Sequence, residues 1–263
     1  MEEIQNNIIQ GSYTNKPFPF VIMNNFLPKN IFNNIDKEWP NEDTFKNKDV
    51  YIQSKKNNKQ IIVTNTQTWN NVMAKSPALK QLYDIFTNIK TFKTICNVFK
   101  DDLKTHLDVD IINIIPKVEF FICDCNSEYY CNVHTDRRDH IFSLLIYPDI
   151  IDNNDSRLNV HELINKNVEV FDVFPSKDDV ILSKSIKSSQ NNAIIMFNTP
   201  FSYHSVKSFK SIDKTSKRRF IYVTYDYEHK KGPDKNSGCN SSNIWKKQSK
   251  VFSQERRRNF LGI

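Results

Sequence analysis

An α+β chain dominated by β-structure is what the sequence predicts, in the form of an antiparallel sandwich or jelly roll with helices packed on one face. Helical apolar spacing marks the part before about residue 108. From about residue 109, short runs rich in Ile, Val, Phe and Tyr follow one another across polar turns, with no helix between them. The composition, 38% hydrophobic and 12% aromatic over 263 residues, is that of a folded chain long enough to bury one core.

"PFPFVIMNNFLPKNIFNNIDKEWP" predicts a short strand over Phe18 to Met23, a turn, and a helix from Pro28 to Asn30 onward with Ile31, Phe32 and Ile35 on one side. Residues 44 to 75 read as polar and irregular apart from a strand at "QIIVTN". Ser76-Pro77 opens a helix, because serine caps well and proline suits the first turn, with Leu79, Leu82, Ile85 and Ile89 at helical spacing. "TFKTICNVFKDDL" continues as a second helical piece. The strand candidates are "VDIINIIP", "KVEFFICDC", "HIFSLLIYP", "VEVFDVF", "DVILSK", "NAIIMFN" and "RRFIYVTYDY". Together these form one domain over residues 1–230, helical to about 108 and a β core from about 109 to 230. The basic extension 231–263 reads as a Gly/Ser/Asn-rich linker and a solvated terminal helix from Ile244, anchored by Trp245, Phe252 and Phe260. With four glycines in the chain, turn positions that need positive φ fall to its many asparagines.

No apolar run approaches the roughly 18 to 20 residues that span a bilayer, and the start "MEEIQNNIIQGSYTNK" has neither the basic nor the apolar part of a signal peptide. A cytoplasmic location with no membrane partner is the expectation. Five cysteines, three of them crowded at Cys123, Cys125 and Cys131, do not read as a disulfide framework. On a strand they read as small core residues rather than soft metal ligands. The excess of 37 basic over 30 acidic residues is modest, so nucleic acid is not the favoured partner.

The chemistry-bearing stretch is "NVHTDRRDHIFSLLIYPD". A His-x-Asp pair occurs by chance about 0.5 times in a chain of this composition, so alone it decides nothing. Its company gives it weight: "NAIIMFNTPFSYHSV" carries His204 after a strand, and Arg219 opens "RFIYVTYDY". Two imidazoles and one carboxylate on one face of Fe(II) leave positions for a 2-oxo acid and dioxygen, and a buried forked arginine suits a distal carboxylate. Zinc fits less well, since its structural sites favour Cys/His sets closed at four ligands.

With these residues the chain resembles the Fe(II)/2-oxoglutarate-dependent oxygenases, in the prolyl 4-hydroxylase-like branch. The likeness rests on His134-Thr135-Asp136, "FSLLIYPD", "MFNTPFSYHSV" and "RRFIYVTY", and reaches "PFPFVIMNNFLP" and "SPALKQLYDIF". The resemblance implies a double-stranded β-helix, a jelly-roll or cupin-like barrel. It implies iron held by His134, Asp136 and His204, and 2-oxoglutarate held by an arginine, with Tyr147 helping and Val206 lining the site. Arg218 and Arg219 point to opposite faces of a strand, so one alone enters the barrel. Arg219 is the expected one, since the family has an arginine followed by an aromatic, with another six positions on, and Phe220 and Tyr225 supply these.

The implied reaction is hydroxylation of a C–H bond with release of succinate and CO2, using Fe(II), 2-oxoglutarate and dioxygen. The first expectation for the substrate is peptidyl proline or another protein side chain. The alternatives are a nucleobase or small molecule, or a non-catalytic binding module on the same barrel. The region "DNNDSRLNVHELINKN" lacks the Gly-Gly-x-Leu element common in the family, which bears on the substrate mouth. Polar stretches at 44–59 and 150–167 are the expected rims. His106, His140, His161 and His229 read as surface or structural histidines.

Overall fold

A computed structural model of the chain describes residues 1–53, 59–107, 115–137, 139–148, 156–164, 174–188, 191–208 and 217–227. Most of the expected strands "VDIINIIP" and "VEVFDVF", the C-terminal extension, His229 and parts of both expected rims lie outside the described residues. The elements run α1 (Glu2–Ile9), β1 (Ser12–Thr14), β2 (Phe20–Met23), α2 (Lys29–Glu38), α3 (Glu42–Phe45), β3 (Tyr51–Ile52), β4 (Lys59–Val63), α4 (Gln67–Lys75), α5 (Pro77–Phe86), α6 (Ile89–Val98) and α7 (Lys100–His106). Then follow β5 (Lys117–Cys125), β6 (Cys131–His134), β7 (His140–Tyr147), β8 (Arg157–Leu163), β9 (Val180–Lys187), β10 (Asn192–Phe197), β11 (His204–Val206) and β12 (Arg218–Asp226).

The strands form two antiparallel sheets. The larger has the order β1-β2-β10-β7-β12-β5-β4-β3, and the smaller β6-β11-β8-β9. Because strand side chains alternate between faces, the larger sheet separates two apolar clusters. On its outer face Val21, Ile122, Leu144, Ile195 and Val223 pack with the helices, whose buried positions include Ile4, Ile35, Leu79 and Phe92. On its inner face Phe20, Cys123, Leu145, Met196 and Phe220 meet Leu158, Val160 and Val206 of the smaller sheet. This is a double-stranded β-helix with the N-terminal helices on one face, and the space between its sheets holds the site.

Local chemistry explains most helix ends. Ser76 caps α5, its hydroxyl accepting from Leu79 N, with Pro77 in the first turn. Glu38 at the end of α2 adds a second acceptor, taking the Ser76 hydroxyl at 2.9 Å and Ala78 N at 2.8 Å. Contrary to expectation, Ile89 does not continue this helix: α5 stops at Phe86, and Asn88 caps α6 by accepting from Lys90 N. The stretch read as irregular holds α4, capped by Thr66, with Trp69 buried against Tyr83 and Phe120. The asparagines do supply left-handed backbone, at Asn25, Asn65 and Asn191 (φ 52°, 68° and 59°).

The contact between helices and sheet is aromatic. Phe99, fully buried after α6, meets Phe142 of β7 at 5.3 Å, Phe197 of β10 at 6.1 Å and Tyr13 of β1 at 5.8 Å. Phe99→Ala would leave a cavity lined by rings that cannot collapse together. It is expected to cost about 3 to 5 kcal/mol, read as a lower urea midpoint at unchanged slope.

Candidate metal centre and anion pocket

His134 ends β6 and His204 begins β11, and the two are directly paired across these antiparallel strands. That register brings together residues far apart in sequence, with ring centroids 4.4 Å apart. Asp136 follows two residues after His134 and turns its Oδ1 to both rings, 3.8 Å from His134 Nε2 and 3.6 Å from His204 Nε2. The three ligand atoms lie within 4.8 Å of one another, and no other such group occurs among the described residues.

Each ligand is held by its other polar atom. His134 Nδ1 lies 2.7 Å from Asn132 O and His204 Nδ1 lies 3.0 Å from Ser202 O. Each Nδ1–H therefore donates to a backbone carbonyl, leaving the Nε2 lone pair for a metal. Asp136 Oδ2 accepts from the Ser143 hydroxyl at 2.6 Å and from the Tyr222 hydroxyl at 3.3 Å, while Asn198 Nδ2 donates to Ser143 Oγ at 2.8 Å. That leaves Oδ1 facing the histidines. Removing the shorter bond by Ser143→Ala is expected to weaken Mn(II) binding about 10- to 100-fold at unchanged circular dichroism. Tyr222→Phe, which removes the longer bond, should weaken it less.

Electrostatics follow from this packing. Burial would raise the Asp136 pKa, but His204, His134, His140 and the Ser143 hydroxyl outweigh it and hold the carboxyl at about 2. Burial opposes charge on His134, yet the Cys131 sulfur, 3.5 Å from Nδ1, together with Asp136, holds its imidazole up at about 9. Burial and the charge of His134 push His204 down to about 4. The metal-free centre therefore holds an imidazolium, a carboxylate and a neutral imidazole.

The two arginines correct the sequence expectation. Arg218 pairs with Cys125 in the inner row of β5, whereas Arg219 pairs with Asp124 in the outer row. Arg218 is 1% exposed. It donates from Nη2 to the Tyr147 hydroxyl at 3.1 Å and to Ser188 Oγ at 3.4 Å, while Nε and Nη1 are buried without an acceptor among the described residues. Arg219 instead reaches the outer helices, pairing with Asp36 of α2 at 3.2 Å and lying over Trp39. The expectation of Arg219 as the inward residue is therefore wrong by one position. Phe220 and Tyr225, on which it rested, lie on opposite faces, Phe220 in the inner cluster and Tyr225 in the outer one.

Tyr147 is fully buried beside Arg218, and Val206 lies in the inner cluster. Cys123 and Cys125 are buried core residues, as expected. His140 and His161 are structural but not on the surface: His140 Nδ1 lies 2.5 Å from Asp226 Oδ1, and His161 Nε2 lies 2.8 Å from Ser205 Oγ. Part of the expected rim at 150–167 is strand β8, paired between β11 and β9. Sequence reasoning passed over Ser143 and Tyr222; the alternation "FSLLIY" placed Ser143 on a buried strand, and a hydroxyl buried there needs a partner.

No protein-family model matches the chain, and no curated protein matches it. Among solved structures, prolyl 4-hydroxylases from Phytophthora capsici match 99% of this chain and 72% of theirs at 11% identity, with a TM-score of 0.52. A prolyl hydroxylase from Trichoplax adhaerens, solved with a hypoxia-inducible-factor peptide fragment, matches 86% of this chain and 88% of its own at 13% identity, with a TM-score of 0.47. A prolyl-4-hydroxylase from Pseudomonas putida matches 86% and 98% at 10% identity, with a TM-score of 0.44. The Phytophthora likeness is one of fold, and the fold is the double-stranded β-helix.

Proposed function

We propose that this double-stranded β-helix is an Fe(II)- and 2-oxoglutarate-dependent dioxygenase that hydroxylates a C–H bond, with peptidyl proline or another protein side chain as the substrate class. One observation carries the reading. The inner face of the barrel holds a His134-Asp136-His204 centre and, on the same face, a buried arginine with two donors that no group among the described residues fills. A buried guanidinium without a carboxylate is costly unless a ligand supplies one, and a dicarboxylate whose other end reaches a metal does so.

The donor set fits iron(II): two Nε2 atoms, that of His134 once its imidazolium gives up a proton, and one carboxylate oxygen, each oriented by a bond on its far side. Held by His134, Asp136 and His204, iron would supply, with 2-oxoglutarate and dioxygen, the oxidising chemistry of a C–H hydroxylation that releases succinate and CO2. The chain's own part is orientation. Arg218 and Tyr147 hold the distal carboxylate, Ser143 and Tyr222 fix the Asp136 carboxylate, and the apolar inner cluster around Phe220 and Leu145 keeps water from the pocket. The protein-substrate reading is supported by the likeness of fold to prolyl 4-hydroxylases and rests on analogy.

The test is an assay of succinate formation from 2-oxoglutarate with Fe(II), alone and with proline-containing peptides, followed by mass spectrometry for a gain of about 16 Da. Succinate formation that rises with a peptide, with the added mass on that peptide, is the expected result. Metal binding with no succinate under any condition would leave the barrel as a binding module and overturn the proposal.

A further inference from the structure

The inner face carries a second cation that the reading above does not use. Lys59 of β4, Cys125 of β5 and Arg218 of β12 are direct neighbours in one row across the larger sheet, so their side chains leave on the same side. The Lys59 ammonium lies 5.3 Å from the centre of the Phe220 ring and 5.4 Å from that of Tyr129. The Arg218 guanidinium lies 5.2 Å from the same Phe220 ring. Two cations thus share one aromatic ring. The ionisable groups acting on Lys59 are chiefly the Tyr129 phenol and the thiols of Cys123, Cys125 and Cys131; those acting on Arg218 are chiefly Tyr147, Cys125, Tyr129 and Cys123. No carboxylate among the described residues pairs with either.

Two like charges facing phenols and thiols across one ring repel each other in a poorly solvated space, and aromatic faces offset only part of that cost. An anion between them removes the repulsion. Arg218 offers its Nε and Nη1 protons to such an anion, and Lys59 approaches the same ring. We infer that Lys59 is a second anchor for the distal carboxylate of the 2-oxo acid, so that a lysine from β4 and an arginine from β12 clamp it together. This rests on the 2-oxoglutarate reading. It adds to it that the site selects dicarboxylic over monocarboxylic 2-oxo acids by two charges rather than one.

The experiment uses the full chain loaded with Mn(II) and titrated calorimetrically with 2-oxoglutarate and with pyruvate, which has no distal carboxylate. Lys59→Met is expected to weaken 2-oxoglutarate about 10- to 30-fold and pyruvate by less than about twofold, with Lys59→Arg recovering most of the loss. Lys59→Gln, similar in reach but uncharged, should behave as Lys59→Met does and guards against a packing defect. Without ligand, Lys59→Met should melt no lower than the parent protein, because it removes a repelling charge. Unchanged 2-oxoglutarate affinity, equal weakening of both acids, or a lower ligand-free melting temperature in both uncharged variants would each overturn the inference. The last outcome would mean that the ammonium is already paired in the folded protein. Arg218→Met separates the two levels: if it binds 2-oxoglutarate as the parent does, the 2-oxoglutarate reading itself fails; if it alone loses affinity, only the role of Lys59 fails.

Discussion

Arg218→Ala is expected to weaken 2-oxoglutarate binding about thirty- to several-thousand-fold, the equivalent of about 2 to 5 kcal/mol, while Arg219→Ala changes it less than about fivefold. The asymmetry follows from the faces the two residues serve. Arg218 is buried with Nε and Nη1 open to a ligand, so its truncation removes a desolvated, charge-assisted pair. Arg219 is half-buried on the outer face, and its bridge to Asp36 is of the solvent-screened kind that contributes under about 1 kcal/mol. Lysine at 218 would keep the charge but not the fork, so partial rescue is expected. Titration of 2-oxoglutarate against the three variants with Mn(II) bound checks this, and the reverse order of the alanine variants would mean that the register of β12 is not the one described.

Replacing any one of His134, Asp136 or His204 by alanine is expected to abolish stoichiometric Fe(II) or Mn(II) binding, because two remaining ligands cannot hold a labile divalent ion against water. The same centre should bind metal with an unusual pH profile. In the metal-free protein the His134 imidazole is held up at about 9 against an ordinary 6.5, so across the neutral range a proton occupies the nitrogen that the metal needs. Lower pH therefore opposes binding, and Mn(II) affinity should rise about tenfold per pH unit until it levels near 9. Cys131→Ser removes part of what holds that proton. It should raise affinity at pH 7 and shift the plateau downward, as read from the electron paramagnetic resonance of free Mn(II). A plateau near 6.5 in the parent protein would count against the imidazolium.

Much of this was legible because the physics was local. Strands such as Lys117–Cys125, His140–Tyr147 and Asn192–Phe197 are apolar runs with abrupt polar ends, and α5 announces itself through Ser76-Pro77. The three residues of the candidate metal centre stood out by type and order. What stayed hidden depends on partners distant in sequence. Strand β8 buries Asn159 and His161, which bond to Ser185 and Ser205, so its hydropathy looks like a loop. The choice between Arg218 and Arg219 is one of strand parity, and parity is fixed by pairing with Cys125 and Asp124, ninety-odd residues away. Lys59, near the end of an uncharacterised polar stretch, gave no reason to be singled out until β4 was seen beside β5.

The two histidines of the candidate metal centre are oriented by carbonyls two residues before them in their own chain segments, Asn132 for His134 and Ser202 for His204. A carbonyl is present whatever side chain stands at that position, so the exposed Asn132 can vary while its ring keeps its aim, whereas Ser202 is fully buried and donates its hydroxyl to Thr199 O at 2.9 Å, which confines that position to small side chains. The carboxylate has no such insurance, because Asp136 depends on hydroxyls from Ser143 and Tyr222. Mutational tolerance around this centre should therefore be lopsided: permissive at Asn132, limited to small residues at 202, and strict across the barrel, where the aspartate is held by side chains that only a few residues can replace.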